Sequence, residues 1–103
     1  MKDHREVTIR HEPRGSGGRY IATVEEESIT GHLDWEPAGG ESDPTRIATH
    51  TIVPPAIGGR GVAGFLVERL IADAREHGFK IVPQCWYVAK KFDENQGWSD
   101  LRA

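Results

Sequence analysis

The sequence predicts an α+β domain with a mixed, mostly antiparallel sheet of about five strands and two helices. Three observations carry this. Apolar and polar residues alternate in three early runs, around Val7–Ile9, Tyr20–Val24 and Ile29–Trp35, which is the period of half-buried strands. Val62, Leu66, Leu70 and Ala74 recur every four residues, the period of a helix laid on a sheet. A short apolar strand, Phe79–Val82, follows that helix. A strand, a crossover helix and a strand run parallel with a right-handed connection.

Taken in order, Met1 to Arg5 are polar and expected to fray. Glu6 to His11 alternate, with Val7 and Ile9 on one face. Pro13 to Gly18 read as a loop by composition. Tyr20–Glu25 and Ser28–Trp35 form an antiparallel hairpin about a turn at Glu26-Glu27. Ile29, Gly31, Leu33 and Trp35 share one face, and Gly31 marks a bulge or a close backbone approach. Glu36 to Pro44, with Gly39-Gly40 and Asp43-Pro44, is a loop. Arg46 to Val53 is the next strand, stopped by Pro54-Pro55 because neither proline can donate to a ladder. The long helix ends at His77, with Gly78 as its left-handed cap and Phe79 folding back on the last turn. Trp86 to Asn95 is a second helix, with Val88 and Phe92 four apart. Gly97 ends it, and Trp98 in the tail packs back.

The 103 residues suit one domain spanning 1–103. At 37% hydrophobic and 28% charged, the composition is that of an ordinary globular chain. A net charge of -3 argues against a nucleic-acid binder. A single cysteine excludes an intramolecular disulfide and suits a reducing cytoplasm. No apolar run approaches the ~20 residues of a membrane span, and no leader pattern opens the chain. The five histidines do not pair with one another or with Cys85 at zinc-ligand spacing, so no metal is expected.

The stretch most open to a ligand is the turn before the long helix. Gly58, Gly59 and Gly61 surround Arg60 there. Glycines let a backbone approach a ligand closely. The first amides of a helix lack intrahelical partners and sit at the positive end of its dipole. Amides from about Gly59 to Ala63 therefore form an anion site, with Arg60 at the rim. The competing reading is a tight turn and nothing more. The turn matches neither the P-loop pattern nor the dinucleotide-binding glycine fingerprint.

Strand, Val53-Pro54-Pro55, Gly58-Gly59-Arg60-Gly61-Val62-Ala63 and apolar helix resemble motif A of the GNAT N-acetyltransferase superfamily. More narrowly, Thr49-His50-Thr51-Ile52-Val53-Pro54 before the loop and Val82-Pro83-Gln84-Cys85 after the helix resemble the small single-domain GNAT-like proteins of the YjdJ type. The resemblance runs from about Tyr20 to Leu101. It implies a minimal GNAT fold whose sheet splays between two parallel strands, and acetyl-CoA as cosubstrate. Ile52 and Val53 would then meet the pantetheine arm. Ile57, Gly58, Gly59, Arg60, Gly61, Val62 and Ala63 would form the pyrophosphate loop. Gly58 stands where that motif usually has Arg or Gln, which removes a side chain expected near the phosphates. Full-length GNAT domains usually continue with two further strands.

Acetyl transfer needs a neutral amine and a proton for the departing thiolate, and groups that supply such steps typically contribute ~10²–10⁴-fold. Cys85 precedes a helix, where a thiol is acidified. It reads as proton donor, as nucleophile, or as a buried structural cysteine. His50 reads as general base or substrate orienter, or as a hydrogen-bonded strand-end histidine, and it could meet Cys85 at the strand gap. Tyr87 is a weaker candidate, more in keeping with packing. The resemblance, with these residues, implies N-acetyl transfer to a primary amine on a small molecule or protein. The alternative is a non-catalytic CoA- or acyl-CoA-binding module. A monomer or weak homodimer is expected, with no membrane partner.

Overall fold

A computed structural model describes residues 6–58 and 61–103. The expectation that Met1 to Arg5 fray falls outside the described residues. Five strands lie in chain order across one sheet: β1 (Val7–Arg14), β2 (Gly17–Val24), β3 (Thr30–Ala38), β4 (Thr45–Ile52) and β5 (Lys80–Pro83). The first three pairings are antiparallel, and β4 with β5 is parallel. Helix α1 (Val62–His77) makes the crossover from β4 to β5, and α2 (Trp86–Glu94) follows β5. This is the mixed five-stranded α+β fold that the patterns predict.

The apolar stripe of α1 lies across β1, β2 and β3. Leu66, Val67 and Leu70 are fully buried against Tyr20, Ala22, Val24 and Leu33. Val88 and Phe92 bring α2 into the same core beside Ile81 and Leu101. Side chains alternate across a strand, so Arg19, His32, Asp34 and His50 stand on the other, outer face. Gly78 has φ 76° and ends α1 as expected, with the Gly78 and Phe79 amides both donating to the Ala74 carbonyl.

Two boundaries differ from the sequence reading. The loop expected at 13–18 is a tight turn, because the ladder continues through Pro13↔Gly18 and Arg14↔Gly17. Pro13 is tolerated because β1 is an edge strand, where a missing donor costs no ladder bond. The loop expected at 36–44 also shortens: β3 runs on to Ala38, pairing Pro37 with Arg46. Past Trp35 the β2 side of β3 is free, so Pro37 again breaks nothing. In the β2–β3 hairpin, Ile29 falls outside the strand and is 39% exposed rather than sharing the core face of Leu33.

A bulge sits in β4. Asp34 pairs with His50 and Trp35 with Ala48, leaving Thr49 unmatched. Gly31, by contrast, marks a close approach. A Cβ there would lie 3.2 Å from Val53 Cγ2 and 3.4 Å from Val62 Cγ1.

Candidate active site

The bulge lies where the two parallel strands part. β4 and β5 pair only from Thr45↔Lys80 to Ala48↔Pro83. The last bond between the two segments runs from the Cys85 amide to the Ala48 carbonyl, at 2.8 Å. Beyond it β4 continues to Ile52 on β3 alone, while the other chain turns into α2. The result is a fork, with the edge of Thr49–Ile52 on one side and the start of α2 on the other.

Helix α1 begins beside the end of β4. Pro55–Ile57 form a single 3-10 turn, and the Gly58 amide donates to the Pro55 carbonyl. Gly61 holds the left-handed conformation (φ 74°) that lets the chain enter α1, which a Cβ would strain. Among the described residues no side chain caps this end, and no acidic residue occupies its first turn. The amides of Val62, Ala63 and Gly64 have no intrahelical acceptor, the first such bond being Phe65 N–H to the Gly61 carbonyl, and they lie at the positive end of the helix dipole.

The residues expected at the phosphate loop separate into classes. Ile57 is fully buried and Val62 is 2% exposed, so their side chains serve the core. Gly61, Val62 and Ala63 can contribute backbone. Gly58 has ordinary extended geometry, and its amide is already taken by Pro55. Gly59 and Arg60 lie outside the described residues. Ile52 is 52% exposed at the fork, while Val53 packs partly on the core.

Cys85 is the N-cap residue of α2 and is 9% exposed. Burial pushes its thiol up, but Thr51 and the nearby amides of Val88, Tyr87 and Thr51 favour the thiolate and bring it below the ordinary value. None of these amides closes a regular capping bond. The thiol donates to Thr51 Oγ1 at 3.5 Å, across the fork. Thr51 is the partner that sequence reading missed. Its alternation with His50 along β4 was the available signal.

His50 and Cys85 do not come together as the sequence suggested. Asp34 opposite His50 and Leu33 opposite Thr51 place His50 on the outer face and Thr51 on the core face. His50 lines a polar cavity of about 300 Å³ at the fork, with Asp34, Glu36, Thr49 and Gln84 among its walls. Asp34 is held there by Arg19, whose Nε and Nη2 donate to its two oxygens at 2.6 and 2.9 Å. Burial pushes the Asp34 carboxyl up, and the Arg19 bonds and charge outweigh it, leaving it below its usual range. His32, 4.0 Å from Asp34, is lowered by burial and by the Arg19 charge.

Tyr87 reaches further than packing required. Its hydroxyl comes to 3.8 Å from where a Cβ on Gly64 would stand, over the first turn of α1. Trp86 meets it edge-on and is itself 74% exposed. At the far end of α1, ligand atoms of Asp73, Glu76 and His77 lie within 4.8 Å of one another, a grouping no histidine–cysteine spacing foretold. The Asp73 carboxylate there already accepts from Tyr20 Oη (2.7 Å) and Arg69 Nε (3.2 Å).

No helix among the described residues is long and apolar enough to cross a membrane. No curated protein matches the chain. The model of one family, described as GCN5-related N-acetyl-transferase, matches residues 19–101, from β2 to the end of the tail turn. The splayed parallel pair, the uncapped helix start and the cysteine at the fork all lie inside that match. The chain belongs to the GCN5-related N-acetyltransferase family.

Proposed function

We propose that the chain transfers an acetyl group from acetyl-CoA to a primary amine. The observation that carries this reading is the fork: β4 loses its β5 partner after Ala48, next to an uncapped helix start and an acidified thiol. Unpaired backbone on Thr49–Ile52 suits the amide-bearing arm of the coenzyme. The free amides of Val62, Ala63 and Gly64 suit its pyrophosphate.

In this reading the amine nitrogen attacks the thioester carbonyl, the carbon–sulfur bond breaks, and the coenzyme leaves as a thiolate that takes a proton. Cys85 lies on the core side of the fork and, with its lowered pKa, is suited to give that proton. His50, on the outer side, is suited to take the proton of the incoming ammonium. Thr51 orients the thiol. The motifs flanking the loop favour the small YjdJ-type subgroup, and the composition favours the cytoplasm.

Calorimetric titration with acetyl-CoA, followed by detection of free thiol with and without amines, tests this. Binding with amine-dependent thiol release supports transfer. Binding without release on any amine would instead support a CoA-binding module. Mass spectrometry of Cys85 after exposure to acetyl-CoA alone distinguishes a proton donor from a nucleophile, which would retain the acetyl group.

A further inference from the structure

The cavity on the outer face has a feature that amine transfer alone does not require. Its lining gathers four charged or titratable groups, Arg14, Asp34, Glu36 and His50, around one dip in the outer face of the sheet.

The charges around this dip are unequally matched. Asp34 is answered twice, by the two bonds from Arg19 and by Arg14 Nε at 3.7 Å. The Glu36 carboxylate and the His50 imidazole, in contrast, have no side-chain hydrogen-bond or ion-pair partner among the described residues. An unanswered carboxylate and an unanswered imidazole thus share one small polar space. The surplus positive charge of the two arginines lies on the β1–β2 side and disfavours a cation there, which leaves Glu36 as the place for one.

We propose that this cavity is the acceptor subsite, and that Glu36 selects an amine carrying a second cationic nitrogen. One nitrogen meets His50 and is deprotonated for reaction at the fork. The other stays an ammonium and pairs with Glu36. The inference rests on the transferase reading for the fate of the first nitrogen, but the binding claim stands apart from it. The same chemistry is offered by a free aliphatic diamine and by adjacent lysines in a peptide. The small volume favours the diamine.

The test is an NMR titration of the full chain without coenzyme, using 1,4-diaminobutane, 1-aminobutane and a blocked Lys-Lys dipeptide amide. We expect amide shifts centred on Gly18, Glu36 and His50, with the diamine bound about five- to tenfold more tightly than the monoamine, as for one partly exposed charge pair. Glu36→Gln should abolish that preference. Glu12→Gln, on the edge strand, should leave both affinities unchanged. Tighter binding of the dipeptide than of the diamine would overturn the choice of a free diamine in favour of a peptide. Equal binding of diamine and monoamine, or shifts centred elsewhere, would overturn the subsite. Because no turnover is read, failure of acetyl transfer would leave this result intact, and the converse holds too.

Discussion

The two ends of the β4–β5 pair differ in how they are held. At the start of β4, the Arg46 guanidinium lies 3.8 Å from the Trp35 ring centre and 4.0 Å from that of Phe79. It donates to Tyr20 Oη at 2.8 Å, and Tyr20 donates in turn to Asp73. Arg69 links Asp73 onward to the Ile9 carbonyl. Three strands and a helix meet in that one network. At the other end the strands separate, and a thiol–hydroxyl bond of 3.5 Å is the side-chain bond across the gap among the described residues. The closed end holds the sheet together so that the open end can stay apart. On the transferase reading proposed above, the difference places stability and chemistry at opposite ends of one short parallel ladder.

That division can be broken from either side. The largest expected effect is at the open end. Cys85→Ala should cut amine-dependent thiol release by ~10²–10⁴-fold with little change in the thermal midpoint. A fall in stability with full activity would reverse the assignment of the two ends. At the closed end, Asp73→Ala strips a buried carboxylate from Tyr20 and Arg69. It should cost about 2–4 kcal/mol of unfolding free energy by urea titration, while acetyl-CoA affinity of the folded protein is retained.

Acid should find the closed end too. Burial pushes the Asp73 carboxyl up, and bonds from Tyr20 and Arg69 bring it below its ordinary value. A carboxyl depressed on folding stabilises above its unfolded pKa of ~3.9, and that stability is lost as pH falls through the folded value. Tryptophan fluorescence should therefore show stability declining below about pH 4. Tyr20→Phe, which removes one of the bonds, should make that decline shallower.

Two smaller effects sharpen the picture of the open end. Thr51→Val removes the first group favouring the Cys85 thiolate, so the pH midpoint for alkylation of Cys85 should rise. An unmoved midpoint would leave the helix amides as the whole cause. Gly58 has ordinary backbone angles, and a Cβ would lie 3.4 Å from the Pro55 carbonyl oxygen, ordinary contact. Gly58→Gln should therefore fold unchanged and bind acetyl-CoA a few-fold more tightly by calorimetry, about one weak neutral hydrogen bond.

The closed end and the open end were not equally legible in the sequence. Repeating patterns announced α1, its cap at Gly78 and the alternation in β2, because each is set by neighbours within a few residues. The run through Pro13 and Pro37 was hidden, because a proline's cost depends on whether its strand has a neighbour on that side. The Arg46–Tyr20–Asp73 network was hidden for a similar reason: its members lie 26 and 53 residues apart. At the site, the glycine turn and Cys85 were visible as local motifs. The bulge at Thr49 was not, and it is where the expected meeting of His50 and Cys85 gives way to a pairing of Cys85 with Thr51, on the opposite face of β4 from His50.

One further contact bears on how the molecule meets its neighbours. Arg102 forms a parallel bridge with Ile81, and the Ala103 amide donates to the Ile81 carbonyl at 2.8 Å. The outer rim of β5 is thereby occupied by the chain's own tail. The opposite rim, β1, carries Arg10, Glu12 and Pro13, which discourage added strands. A second chain seeking to extend this sheet would meet charge and proline on one side. On the other it would first have to displace Arg102 and Ala103 from Ile81, so resistance to fibril-like stacking rests partly on that short bridge.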